Sequence, residues 1–259
     1  GKSADLDIVL AATAGGVNQT AGALAAGGLS LSGAGTFTLN QSGNDIATLA
    51  ADVTGNLSYR DANALTLGTA GNGILSAGGN IDIQTANGSI TGVDALPGLV
   101  DIDADGGSVS LSAGGDNSAI SLDASIQGLA GVTLTADRFD IVTATRIVDA
   151  SGATILIKPS SAGRVITVGT DDVSGSTATT GTLGLSATEI AQLRAAAGGT
   201  LKIGDAASGN LSVTAPLTVV SATAGTLSLQ SGAAINQAAL AIVTVPNLAL
   251  RAGTTVALT

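Results

Sequence analysis

The chain has 259 residues and a net charge of −10, and it contains 37 Gly but no Cys, His, Met or Trp. Charged residues make up 11% of it, well below the roughly 25% of an average globular domain. The absence of Cys excludes a disulfide framework, and the scattered basic residues form no run that would bind a nucleic-acid backbone. The most apolar stretch, residues 238–250, is interrupted by polar residues and Pro246. It is also shorter than the ~20 residues of a membrane span, so no membrane insertion is expected.

Short strand-like segments recur along most of the chain. Each follows a turn residue and alternates apolar with polar side chains, which is typical of a strand with one buried and one solvated side. The segments are residues 28–31, 35–39, 55–59, 63–67, 80–83, 107–111, 131–134 and 225–229. Their spacing favours coils of about 20 residues, and about a dozen coils in all. The sequence therefore predicts an all-β, single-stranded parallel β-solenoid in which each coil buries its apolar side against the next.

An acidic segment at residues 101–106 (DIDADG) resembles the start of a calcium-binding loop, in which oxygen ligands recur at every second residue. The bidentate acid that closes such a loop is missing, because Ser112 occupies its position. The alternative is a strand with its two apolar residues inward and with its three carboxylates, Asp101, Asp103 and Asp105, in water. Asp82 and Asp123 lie about one coil to either side. These five residues therefore also predict an acidic face that holds calcium or a glycan.

One segment has a helical pattern. Ser186 and Glu189 have the spacing of a capping box, and apolar residues that follow fall on one helical face. Gly198 and Gly199 provide a stop signal. The pattern predicts a short helix over residues 187–197 that lies on the flank of the solenoid.

A longer repeat is also present. Val17-Asn18-Gln19 recurs 218 residues later as Ile235-Asn236-Gln237. After a one-residue slip, residues 29–31 and 37–39 match residues 248–250 and 256–258. We therefore expect residues 1–259 to be one continuous solenoid segment of a longer array, with a second copy starting near residue 233. Its expected partners are adjacent repeats of the same chain or a second copy bound end to end.

Catalysis has few candidate residues. Without His and Cys, the catalytic triads that use them and most zinc sites are excluded. Asp171 and Asp172, or the acidic residues 101–105, offer paired carboxylates of the kind that cleave polysaccharides. Sugar-cleaving grooves usually stack sugar rings on aromatic side chains, however, and this chain has one Tyr and no Trp. The sequence thus favours a non-enzyme, with no catalytic, cofactor or metal-binding residue assigned, over a polysaccharide-cleaving β-helix.

Several segments resemble the strand repeats of filamentous-haemagglutinin-like surface exoproteins of bacteria, which are secreted by the two-partner route or as related autotransporters. The resembling residues are 29–39 (LSLSGAGTFTL), 44–50 (NDIATLA), 57–65 (LSYRDANAL), 183–190 and 201–204 (LKIG). The resemblance implies a right-handed parallel β-helix that forms the shaft of a secreted fibre at the cell surface. It further implies host-cell or bacterial surface glycans or proteins as partners. No catalytic residues carry over, because the shaft of that family has none.

Overall fold

The structure is a computed structural model that describes residues 6–175, 177 and 180–259. The chain folds into a parallel β-solenoid of about 11 turns with one short helix, which confirms the predicted fold class. Among the residues described, no helix is long and apolar enough to cross a membrane.

The first coils have two sides. In them one long strand occupies the part of the coil that two short strands occupy in the coils after β5. In chain order their strands are β1 (Asp7–Ala12), β2 (Gly16–Asn18), β3 (Ala25–Gly33), β4 (Thr36–Leu39), β5 (Asp45–Val53) and β6 (Leu57–Asp61). The long strands β1, β3 and β5 pair in parallel on one side. The short strands β2, β4 and β6 pair in parallel on the other.

Coils with three sides begin after β5. The next strands are β7 (Leu65–Leu67), β8 (Ile74–Ser76), β9 (Ile81–Thr85), β10 (Ile90–Gly92), β11 (Ile102–Asp103), β12 (Ser108–Ala113), β13 (Ala119–Leu122), β14 (Ile126–Gln127), β15 (Gly131–Thr135), β16 (Arg138–Ile141), β17 (Val148–Asp149) and β18 (Thr154–Lys158). The change occurs at β5 because β7 pairs with its first half and β8 with its second half.

The remaining elements are β19 (Val165–Val168), β20 (Thr182–Leu185), α1 (Ala187–Ala191), β21 (Leu193–Arg194), β22 (Ala196–Ile203), β23 (Leu211–Val213), β24 (Leu217–Thr218), β25 (Ala224–Ser231), β26 (Ile235–Gln237), β27 (Val243–Thr244), β28 (Leu248–Ala252) and β29 (Val256–Ala257). Face 1 is one ten-stranded sheet, in the order β2-β4-β6-β9-β12-β15-β18-β22-β25-β28. Face 2 contains β7, β10, β13 and β16, followed by β20, β19, β23, β26 and β29. Face 3 contains β8, β11, β14, β17 and β21, and later β24 and β27.

The core is a stack of rows that run along the solenoid. On face 1, Ile83 lies between Tyr59 and Leu111 in register, and all three side chains are buried. Within β9 and β12 the residues that alternate with the buried ones point outward. Burial therefore alternates along each strand, as the sequence pattern predicted. Full burial of one large aliphatic side chain stabilises the fold by about 1.5–3 kcal/mol.

Corners require glycine where the backbone turns left-handed and the next coil lies close. Gly204 follows β22 and has a φ of 81°. A Cβ atom at this position would lie 2.1 Å from the carbonyl oxygen of Gln230 in the following coil. Both the dihedral angle and the available space therefore exclude a larger residue there.

One coil contains an insertion. The register step along face 1 is 23 residues from Val132 to Ile155 and 46 residues from Ile155 to Leu201. The additional length lies between β19 and β21, and its described part returns to face 2 as β20 and then forms α1. Because β19 pairs with β20 on one side and β23 on the other, β20 is inserted between β16 and β19.

The predicted start of the helix is confirmed. Ser186 is the N-cap, and its hydroxyl oxygen accepts a hydrogen bond from the Glu189 backbone N–H. The Glu189 carboxylate accepts from the Ser186 N–H in return, which completes the capping box.

The predicted end of the helix is wrong, because α1 stops at Ala191 rather than at residue 197. Leu193 is buried and pairs with Val148 in the ladder of face 3, which a longer helix would break. Ile190 is buried, as expected for a helix that packs its apolar side against the solenoid.

The segments that match 218 residues apart lie on different faces. Val17 and Asn18 are in β2 on face 1, whereas Ile235 and Asn236 are in β26 on face 2. The 218-residue offset is therefore not a whole number of coils, and the longer array stays a prediction.

We predict that Ile83→Ala lowers the free energy of unfolding by about 2–5 kcal/mol, because the neighbouring rows cannot close the cavity. Gln84→Ala is the matched control, since Gln84 lies next in β9 and points outward. It should change stability by less than about 0.5 kcal/mol. Chemical denaturation followed by circular dichroism measures both. Equal effects of the two substitutions would contradict the assignment of the buried side.

Candidate functional site

The corners between faces 2 and 3 differ in length from coil to coil. Residues 93–101 connect β10 to β11, residues 123–125 connect β13 to β14, and residues 142–147 connect β16 to β17. Because the middle corner is short, a groove of about 690 Å³ opens beside it. We call it the corner groove, and residues from both long corners and from β14, β17 and β21 line it.

Asp101 holds the first wall of the corner groove. Its carboxylate accepts hydrogen bonds of 2.8 Å from the backbone N–H groups of Leu96 and Ser125. The side chain is only 1% exposed. It therefore fastens the long corner to the short corner of the next coil, through charge-assisted hydrogen bonds.

Arg146 holds the second wall. Its guanidinium forms ion pairs with Asp94 and, at 3.1 Å, with Asp123. Burial alone would lower the pKa of Arg146, but these two carboxylates raise it above its ordinary value. Hydrogen bonds from Thr143 and Arg146 in turn hold the pKa of Asp123 below its usual range. The Gln192 side-chain amide adds donors at 2.9 and 3.0 Å to the carbonyl oxygens of Thr143 and Arg146.

The floor of the corner groove is a row of three polar residues. Gln127, Asp149 and Arg194 occupy neighbouring register positions on β14, β17 and β21. Each follows a buried residue of its strand and so points outward. Neighbouring strands lie about 4.8 Å apart, so the row runs along the solenoid axis with that spacing.

The acidic face predicted from Asp82, Asp101, Asp103, Asp105 and Asp123 is not assembled in the structure. Asp82 lies on face 1 between Ser58 and Ser110, one side removed from the others. Asp103 lies on face 3 and accepts a hydrogen bond of 2.7 Å from the Asp105 N–H. In the described part of the chain, no group of three or more acidic residues is arranged to hold a metal ion.

The strand interpretation of residues 101–106 is confirmed for its apolar residues and wrong for one carboxylate. Ile102 and Ala104 are buried as expected. Asp101 is buried with them instead of lying in water, because the backbone N–H groups of two corners converge on it. The sequence carries no signal for this, since both donors depend on how coils stack.

Asp171 and Asp172 do not form a pair of catalytic carboxylates on one surface. Asp171 is exposed, while Asp172 turns inward between β16 and β20. Its two oxygens accept hydrogen bonds of 2.7 Å from the Phe139 N–H and 2.6 Å from the Gly184 N–H. Burial raises the pKa of Asp172 to about 7, although these two hydrogen bonds act in the opposite direction.

Glu189 is the second carboxylate at this junction. Burial raises its pKa, against the hydrogen bonds that it accepts from Ser186 and from the Ile141 backbone. Asp172 and Glu189 therefore connect the inserted β20 and α1 to β16. This connection replaces a backbone ladder, because β16 and β20 are not paired with each other. We call this junction the carboxylate seam. Sequence reasoning identified the capping box of Ser186 and Glu189 but missed the seam, because its contacts to Phe139 and Ile141 on β16 join residues more than 30 positions apart.

Comparison of the chain with protein-family models, with curated proteins and with solved structures found no match. Its function must therefore be inferred from the solenoid, the corner groove and the carboxylate seam themselves.

We predict that the stability contributed by Asp172 increases as the pH falls. The pKa of about 7 in the folded protein exceeds the ordinary value of 3.8, so the folded state binds the proton more tightly. Between pH 7 and about pH 4, falling pH therefore stabilises the fold through this group. Asp172→Asn removes this pH dependence. The melting temperature of the wild type minus that of the variant should therefore be higher at pH 5 than at pH 8.

Asp171→Asn is the control for this prediction, because it makes the same chemical change at the exposed neighbour. Its melting-temperature difference from wild type should stay nearly constant over the same pH range. If Asp172→Asn behaved in the same way, Asp172 would not be the titrating group of the carboxylate seam.

Proposed function

We propose that this chain is a non-catalytic structural segment of a secreted bacterial surface fibre, a rod that displays or spaces binding modules. The observation that carries the proposal is the unbroken ten-stranded face 1, which joins the coils from β2 to β28. In such a stack each coil contacts only its neighbours, so adding coils adds length without changing the cross-section.

The use of buried carboxylates supports a structural role. Asp61 accepts hydrogen bonds from two backbone N–H groups, one in β5 and one in the corner after β6. Asp101 and Asp172 each accept two in the same way. These acids hold the backbone at corners and at the carboxylate seam, which leaves them poorly placed to act on a substrate.

The cell-surface location rests on the resemblance to filamentous-haemagglutinin-like exoproteins. In this proposal the partners are adjacent repeats of the same long chain, a second copy bound end to end, and glycans or proteins of host or bacterial surfaces. The absence of Cys is compatible with a chain that crosses a membrane unfolded, and a solenoid can then fold coil by coil.

The rod is tested by removing one coil. Deleting residues 201–226 removes one register step, from Leu201 to Leu227. We expect the variant to keep its β-type circular dichroism spectrum and to become shorter by about 5 Å, one strand spacing, in small-angle X-ray scattering. Deleting only residues 201–213 is the control. It should weaken the β signal and lower the melting temperature, because a partial coil places the apolar residues of the following coils on the wrong side.

The location and the absence of catalysis need separate measurements. Antibodies against the chain should label intact cells of the producing organism, whereas an antibody against a cytoplasmic marker should label them only after permeabilisation. Labelling that requires permeabilisation would contradict a surface fibre.

Release of reducing sugar from acidic or neutral polysaccharides by the purified chain would contradict the non-catalytic role.

A further inference from the structure

The floor of the corner groove has hydrogen-bonding capacity that the protein does not use. In the part of the chain that the structure describes, neither the Gln127 amide nor the Arg194 guanidinium has a hydrogen-bond partner. Asp149 uses one carboxylate oxygen to accept from Ser151 and keeps the other free. One row thus presents an amide that donates and accepts, a carboxylate oxygen and a set of guanidinium donors.

The charges that line the corner groove are balanced. Asp94 and Asp149 are acidic, and Arg146 and Arg194 are basic. The whole chain, in contrast, carries a net charge of −10. These four lining side chains carry no net charge, and the wall carboxylates of Asp101 and Asp123 are engaged by backbone N–H groups and by Arg146, so the groove favours an uncharged ligand that both donates and accepts hydrogen bonds.

The walls of the corner groove are held by contacts within the protein itself. Asp101 and Gln192 fix the two long corners through backbone groups, and Arg146 joins the corners by ion pairs. Leu99 is 67% exposed at the rim and offers an apolar contact. A preformed site of this kind loses little conformational entropy when it binds.

We propose that the corner groove binds a neutral oligosaccharide that lies along the solenoid axis over Gln127, Asp149 and Arg194. Sugar hydroxyl groups both donate and accept, which matches the mixed groups of the floor. An extended peptide fits less well, because its side chains recur about every 6.6 Å on one side while the floor groups recur about every 4.8 Å. This inference goes beyond the structural role proposed above and does not depend on it.

The affinity should be low. All three aromatic side chains of the chain, Phe37, Tyr59 and Phe139, are buried, so no ring is available to stack on a sugar. Hydrogen bonds that replace bonds to water contribute little each. We therefore expect a dissociation constant on the order of 1 mM.

The test is a titration of the ¹⁵N-labelled chain with maltohexaose, cellohexaose and mannohexaose, followed by NMR. We expect at least one of these neutral sugars to cause saturable shifts in the Gln127 side-chain amide and in the backbone of residues 125–127 and 145–147. Gln127→Ala and Arg194→Ala should each weaken binding by about three- to tenfold, which is what one or two hydrogen bonds contribute. Arg60→Ala is the matched control, since Arg60 is exposed and points outward from face 1, and it should leave binding unchanged.

Several results would overturn the proposal. One is the lack of saturable shifts with all three sugars up to about 10 mM. Others are undiminished binding by folded Arg194→Ala and Gln127→Ala variants, or saturable binding only of heparin, of oligogalacturonate or of an extended peptide. Circular dichroism establishes that each variant is folded, and if one is not, the other decides. If no oligosaccharide binding is found, the proposed structural role is unaffected, because the coil deletions test that role through the length of the particle.

Discussion

The parallel backbone ladder between coils is the constraint on which the rest of the structure depends. Each coil must return to its starting direction one strand spacing further along, so residues at equivalent positions are stacked in rows. Inward rows such as Tyr59, Ile83 and Leu111 make a continuous core, and outward rows such as the one that begins at Gln127 place like positions side by side. The corners are not bound by this constraint, because their residues need not form a continuous backbone ladder. Their lengths therefore vary from coil to coil.

Buried carboxylates appear where the ladder is interrupted. At a long corner, Asp101 accepts the N–H groups that no neighbouring strand accepts, and at the carboxylate seam Asp172 does the same for two strands that are not paired. A carboxylate can satisfy two donors at once, but its burial carries a desolvation cost. For Asp172 that cost outweighs the two hydrogen bonds, which is why its pKa is raised. Protonation of Asp172 therefore acts on the attachment of the inserted coil.

The corner groove and the rod follow from the same architecture. A regular stack of coils produces length, while one short corner between two long ones produces a concave surface on the side of the stack. Because the strands beneath are in register, the groove floor carries an ordered row of polar groups rather than a scattered set. A structural shaft and a ligand-binding surface are therefore compatible in one chain, since the shaft uses the inward rows and the groove uses the outward ones.

The repeating strands, buried residues such as Ile102 and the capping box at Ser186 could all be predicted from the sequence, because each depends on neighbours within a few residues. Three features depend on how the coils stack and could not be predicted: Asp82 lies on a different face from Asp103, the helix ends at Ala191, and β20 is inserted out of chain order. Alternation indicates which side chains point inward, but it carries no information on which face a strand joins. That choice depends on corner lengths and on pairing between strand residues 17 or more positions apart. The corner groove, which three corners and three strands build together, could for this reason not be found from local sequence.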